Sequence, residues 1–334
     1  MKKRNVICII FVLLLALACG YFYLESRPQH KLLQEPYARS NKCPYQYINP
    51  SRCEPATARK KKEYIVLRTD LNELIEKEKK DGKLTSAAVY FRDLQNGPII
   101  NINDQESFIP ASLLKLPLMI TYLKKAQDDP SLLSRKIKVA GDVGTLPQNI
   151  KPEQTAQIGQ TYTIDQLLML LITQSDNTSW KVLLGDLRKN YSEDDFVSTL
   201  SDLGIVDPRK RTDQQYVTVQ SYAAIFRILY NSSYLSTVMS DKALKILARS
   251  DFHDGLEAGV PRELTVAHKF GEQKNGDEQQ LHDCGVVYYP PNPYIICVMT
   301  RGYNTDELKP IIQEISQKVY DEVKFRNQTD PSSQ

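Results

Sequence analysis

The chain has 334 residues, 41% of them hydrophobic and 25% charged, with a formal net charge of +3. That length and balance belong to a globular protein of one or two domains with a substantial core. The nearly balanced charge implies no nucleic-acid partner.

At the start, Lys2-Lys3-Arg4 precedes an apolar stretch from Val6 to Leu24, the pattern of a secretion signal or a single membrane anchor. Residues 1–24 are read as that segment, with the basic flank cytoplasmic and everything after Glu25 outside the cell membrane. Ala16-Leu17-Ala18 offers a cleavage pattern, and Cys19 a lipidation site with Ala16 as a poor first lipobox residue. An uncleaved anchor ranks first, with a lipoprotein and a cleaved signal left open. Residues 25–62 are polar and carry Pro28, Pro36, Pro44, Pro50 and Pro55, which reads as an extracytoplasmic linker. Within it, Cys43 and Cys53 bracket a short loop and read as a disulfide of an oxidising compartment. The run Arg59-Lys60-Lys61-Lys62 reads as solvated linker.

A folded domain follows over residues 63–330. Thr69-Asp70 caps a helix through Leu71, Leu74 and Ile75. Strand patterns at 87–94 and 99–102 flank Asn96-Gly97, a hairpin signal. A helix opening near Ser112 buries Leu113, Leu116, Met119, Ile120 and Leu123, with Pro117 in its first turns, where a missing donor costs least. Residues 130–255 read as helical, with helices at 164–173, 178–187, 194–203, 219–230 and 241–249. Three strand patterns and a last helix at 305–323 complete the chain. Strands at both ends with helices between predict an α+β fold: one antiparallel sheet flanked by helices, with an inserted all-helical subdomain. Cys284 and Cys297 lie on neighbouring strand patterns, 281–289 and 294–300, and are expected to be diagonal, buried free thiols. No cysteine has zinc-ligand spacing and the four histidines do not cluster, so no metal or cofactor is expected.

Chemistry concentrates in three short motifs. Ser112-Leu113-Leu114-Lys115 sets a hydroxyl and an amine three residues apart at a helix start, on one face of the turn. A serine becomes nucleophilic when a neighbouring base takes its proton, and a lysine serves if burial or nearby positive charge keeps part of it neutral. Backbone N–H groups at the helix start can stabilise an oxyanion. Ser175-Asp176-Asn177 follows the apolar run 167–172, and Lys269-Phe270-Gly271 lies in a strand pattern.

In this order the three motifs resemble those of class A β-lactamases and penicillin-binding proteins, over roughly residues 66–325. The resemblance implies Ser112 as nucleophile, Lys115 as base and Ser175 as proton relay to the leaving group. It implies Asn177, Lys269 and Gly271 as substrate contacts, with Lys269 a positive charge for a substrate carboxylate. The oxyanion hole would be the N–H groups of Ser112 and Glu272. Two departures stand out. Phe270 occupies the place of the usual Thr or Ser, removing a hydroxyl that would help hold a carboxylate. The deacylating glutamate is also missing: no glutamate stands between Glu193 and Glu257, and the segment that would carry it is shorter by roughly ten residues than the family pattern. Asp207 and Asp213 are the carboxylates left in that segment, and they read as turn residues.

The expectation is an exported serine hydrolase that forms an acyl-enzyme through Ser112 with a β-lactam or a D-Ala-D-Ala-type peptidoglycan stem peptide, and deacylates slowly. A peptidoglycan D,D-carboxypeptidase, and a non-catalytic cell-wall or ligand-binding domain on the same scaffold, remain the alternatives.

Overall fold

In the computed structural model the described residues are 64–94, 99–141, 148, 150–210 and 213–329. The anchor and linker readings, the Cys43–Cys53 pair and the Asn96-Gly97 turn lie outside them. Among the described residues no helix is long and apolar enough to cross a membrane.

Five strands form one antiparallel sheet: β1 (Ser86–Asp93), β2 (Ile99–Ile102), β5 (Val266–Asn275), β6 (Glu278–Val287) and β7 (Tyr294–Gly302), in the order β2-β1-β7-β6-β5. Both faces are covered. Alternate residues Val89, Phe91, Ile296 and Val298 pack toward α1 (Ile65–Lys80) and α8 (Thr305–Thr329). Their neighbours Ala88, Tyr90, Ile295, Cys297 and Met299 pack toward the helical block. Burial on both faces explains why β7 reads Tyr-Ile-Ile-Cys-Val-Met-Thr without polar alternation.

The block comprises α2 (Lys115–Asp128), α3 (Ile164–Thr173), α4 (Asn177–Asn190), α5 (Glu193–Asp202), α6 (Val219–Tyr230) and α7 (Thr237–Leu247). It is not all-helical. Lys136–Lys138 (β3) pairs with Thr161–Thr163 (β4), Lys136 opposite Thr163. Three-residue strands are too short for alternation to show in sequence.

Two local expectations are corrected. The first helix starts at Ile65, one turn before Thr69, and the Thr69 hydroxyl donates back to the Ile65 carbonyl at 3.0 Å instead of capping. Cys284 and Cys297 are directly opposite, not diagonal, and joined as a disulfide, with their Cα atoms 3.9 Å apart. That close approach marks a non-hydrogen-bonded pair of the β6–β7 ladder. Cys284 therefore turns its backbone groups to β5, where its partner is Lys269. Alternation along β5, an edge strand, then points the backbone groups of Phe270 and Glu272 outward, away from β6.

Candidate active site

The first motif lies at a break in the helix. Ala111–Leu114 form a 3-10 turn that runs directly into α2, so Ser112 and Lys115 sit one turn apart. Ala111 adopts φ 46° and Ser175 φ 50°, left-handed conformations that non-glycine residues hold only when their surroundings impose them. Both flank the same chemistry.

The surroundings of the turn are specific. Leu113 N–H donates to the Pro110 carbonyl at 2.9 Å, and the Tyr222 hydroxyl of α6 donates to the Leu113 carbonyl at 2.9 Å. Just before the turn, Ile109 N–H donates to the Gln280 side-chain oxygen at 3.0 Å, and Ile109 O lies 3.0 Å from His282 Nε2. Burial pushes His282 down to about 4, so the ring is neutral near pH 7 and serves as an N–H donor to that carbonyl. Gly271 closes the turn from the strand side. A Cβ there would lie 2.9 Å from Leu113 Cγ and 3.1 Å from the Pro110 oxygen. The glycine thus lets β5 lie against the Ser112 turn, a role beyond clearing space for a ligand.

Lys115 stands at the centre. Its amine lies within hydrogen-bond distance of four acceptors, Ser112 Oγ at 2.9 Å, Ser175 Oγ at 3.0 Å, the Ser175 carbonyl at 2.5 Å and Asn177 Oδ1 at 2.8 Å, which its N–H groups share. The side chain is buried. Burial lowers its pKa to about 7, against the opposing pull of Asp176 and Glu272. From the far side, the Lys269 amine donates to the same Ser175 Oγ at 3.0 Å and to the Phe270 carbonyl at 2.7 Å, which fits the outward-facing carbonyl deduced from the strand register. Burial first, and the neighbouring Lys115 second, hold Lys269 well below the ordinary lysine range. Ser175 therefore bridges two amines, one of which is 2.9 Å from Ser112.

Asp176 builds the platform for the second motif. Its carboxylate accepts from the N–H groups of Thr178 (3.1 Å), Ser179 (2.8 Å) and Ala156 (3.1 Å), and from the hydroxyls of Ser179 (2.6 Å) and Thr155. It is the N-cap of α4, so Asn177 opens that helix. Gln148 Nε2 donates to the Ser175 carbonyl at 3.1 Å, and Ile150 N–H donates to Glu272 Oε1 at 2.9 Å.

Behind Lys269, on the opposite face of β5, His268 and Asp283 are fully buried with Nδ1 and Oδ1 2.8 Å apart. Burial alone would lower this histidine. Asp283 and Glu257 outweigh it and raise the pKa to about 9. Asp283 also accepts from Leu256 N–H at 2.9 Å, tying the edge strand to the preceding loop.

The shortened segment places its two carboxylates elsewhere. Asp207 is buried and accepts from Arg209, through its N–H at 2.9 Å and its guanidinium at 3.1 Å. Asp213 lines an open cavity of about 560 Å³ with Glu106, Ile109 and Gln215, and Ser112 is not part of that lining.

The three motifs thus meet at one point, where a hydroxyl, two depressed amines and an amide converge on an edge strand. His282, Gln280 and Tyr222, which hold the Ser112 turn, carry no motif. Their sequence separation from it gives no local signal. The convergence sets a serine hydroxyl beside a buried amine on an α+β scaffold.

The profile of the Beta-lactamase enzyme family matches residues 66–323, and the chain belongs to that class A β-lactamase-like family. It is 25% identical over 240 residues to β-lactamase VEB-1 of Pseudomonas aeruginosa, covering 65% of this chain and 78% of that protein. It is also 25% identical to a β-lactamase of Streptomyces albus G over 65% of this chain and 73% of the relative. Among solved structures, PBP-A superposes with a TM-score of 0.65 at 22% identity, over 78% of this chain and 97% of that one. A PBP-A variant in an acyl-enzyme complex with penicillin G superposes at 0.64, again at 22% identity and over 78% and 97% of the two chains. These superpositions establish the fold.

Proposed function

We propose that this protein is an exported serine hydrolase that takes β-lactams or D-Ala-D-Ala-type stem peptides onto Ser112 and releases them slowly. The observation that carries the reading is the Lys115 amine, 2.9 Å from Ser112 Oγ with its pKa lowered to about 7. A base of that strength is half neutral near pH 7, where general-base catalysis is most effective.

Lys115 takes the Ser112 proton while Oγ forms a bond to the substrate carbonyl carbon. Backbone N–H groups of Ser112 and Glu272 receive the developing oxyanion. The carbonyl C–N bond then breaks, and the proton moves from Lys115 through the Ser175 hydroxyl, 3.0 Å away, to the departing nitrogen. Asn177 holds Lys115 in place and contacts the acyl side of the substrate. A protein of the same fold carries a penicillin G acyl group, which supports the scaffold's capacity for such an adduct.

Hydrolysis of the ester requires a base beside the incoming water. Asp207 is engaged by Arg209, and Asp213 lines a cavity with Glu106, Ile109 and Gln215, which supports slow deacylation, with Lys115 assigned as its base. The basic flank and apolar run of residues 2–24 support attachment to the membrane with this domain outside. Labelling with a fluorescent penicillin tests the reading: the native chain should label and Ser112→Ala should not. Labelling that persists in Ser112→Ala would assign the nucleophile elsewhere.

A further inference from the structure

The two amines of the site are committed to the protein itself. Lys115 is surrounded by four acceptors on Ser112, Ser175 and Asn177, enough to engage every N–H it carries. Lys269 is fully buried; it donates to Ser175 Oγ and the Phe270 carbonyl, and its nitrogen lies 4.1 Å from the centroid of the Phe270 ring. An ammonium has three N–H donors; two are hydrogen-bonded here and an aromatic face covers the group. Among the described residues, Lys115 and Lys269 are the basic side chains hydrogen-bonded to Ser112, Ser175 or Asn177. Phe270 is itself held. It is 3% exposed and stacks on Phe252, ring centroids 4.3 Å apart and planes at 28°. The ring therefore cannot swing aside without unstacking a buried pair.

Preference for a free carboxylate over its ester beside the scissile bond would need an uncovered positive charge. The Lys269 amine, the group assigned to that task by resemblance, is enclosed. We propose that this site does not select for a free carboxylate on the leaving-group side, and that Phe270 sets this specificity. Neutral acyl donors, esterified or amidated at that position, are accepted on equal terms with acids. Phe270 acts by enclosing Lys269, so it is a specificity-determining residue and takes no part in bond making. The proposal rests on Ser112 acylation as described above.

The test uses the full chain with benzylpenicillin and its methyl ester, each followed by intact mass. The second-order acylation rate of each is normalised to its own hydrolysis by hydroxide, which removes the difference in intrinsic reactivity. The expected ratio of acid to ester is within about threefold, because among the described residues neither amine at Ser175 is uncovered for a charge-assisted contact worth about tenfold or more. Phe270→Thr, which uncovers the amine and adds a hydroxyl, should raise the preference for the acid by about tenfold or more. A native ratio above about tenfold in favour of the acid would overturn the proposal whether or not the variant folds. So would a folded, acylating Phe270→Thr with an unchanged ratio. If neither reagent labels Ser112, the acyl-enzyme reading itself falls, and this inference falls with it.

Discussion

Replacing Lys115 by alanine separates the base from the scaffold. An exposed lysine with a pKa near 10.4 is about 0.04% neutral at pH 7, whereas a pKa near 7 makes it about half neutral. The depressed value of Lys115 thus raises the supply of free base by roughly three orders of magnitude. Removing the amine should slow acylation by about 10³-fold, or about 4 kcal/mol in barrier height. Stability should change much less. The substitution removes the hydrogen bonds of the amine but also relieves the cost of burying it, and the two effects oppose. The assay is stopped-flow labelling by a reporter penicillin between pH 5 and 9, paired with urea denaturation. In the native chain the rate should rise about tenfold per pH unit below 7 and level off above it, because the deprotonated amine is the active form. Lys115→Ala should be slow and lack that inflection. A variant within tenfold of native, or one that keeps the inflection near pH 7, would refute Lys115 as the base.

Three further outcomes are expected. Gly271→Ala should reduce acylation about tenfold or more with the fold retained, because the new Cβ presses on Leu113 and Pro110 in the nucleophile's turn; unchanged labelling would remove the close-approach role. Asp176→Ala should lower stability in urea denaturation by about 2–4 kcal/mol, since a buried cap with five donors is lost, and a loss under about 1 kcal/mol would contradict this. For His268 the folded pKa is raised to about 9, so its stabilisation is complete below the free-imidazole value near 6.5 and declines as pH rises through 9. The depressed lysines titrate with the opposite sign, so the informative quantity is the Tm difference between native and His268→Gln, which should narrow from pH 7 to pH 10; a constant difference would show that the pair is not ionised.

Much of the fold was legible because local signals agreed with tertiary packing. The helix at 164–173 has an apolar run behind a Thr163–Gln166 capping box, and the structure keeps both ends. The start of α1 was not legible, because a threonine before an apolar pattern looks the same whether it caps or bonds back to the preceding turn. Nor was the Cys284–Cys297 register, since pairing across a long connection is set by the whole sheet, and one residue of slip changes which side chains are opposite. In the site, Ser112, Lys115, Ser175, Asn177 and Lys269 were legible because each motif is a few residues of contiguous chain. What holds them was not. His282, Gln280 and Tyr222 reach the Ser112 segment from more than a hundred residues away. The enclosure of Lys269 depends on a Phe252–Phe270 stack that sequence spacing does not reveal.

The lifetime of the acyl-enzyme tests the central claim most directly. The chain is mixed with a slight excess of penicillin G, freed of reagent, and followed by intact mass over hours, with Ser112→Ala and Asp213→Asn in parallel. One acyl group should appear on the native chain, persist, be absent from Ser112→Ala, and decay at the same rate in Asp213→Asn. Catalytic consumption of penicillin G with no accumulating adduct, together with an adduct trapped by Asp213→Asn, would mean that the shortened segment supplies the hydrolytic base, and would contradict the account.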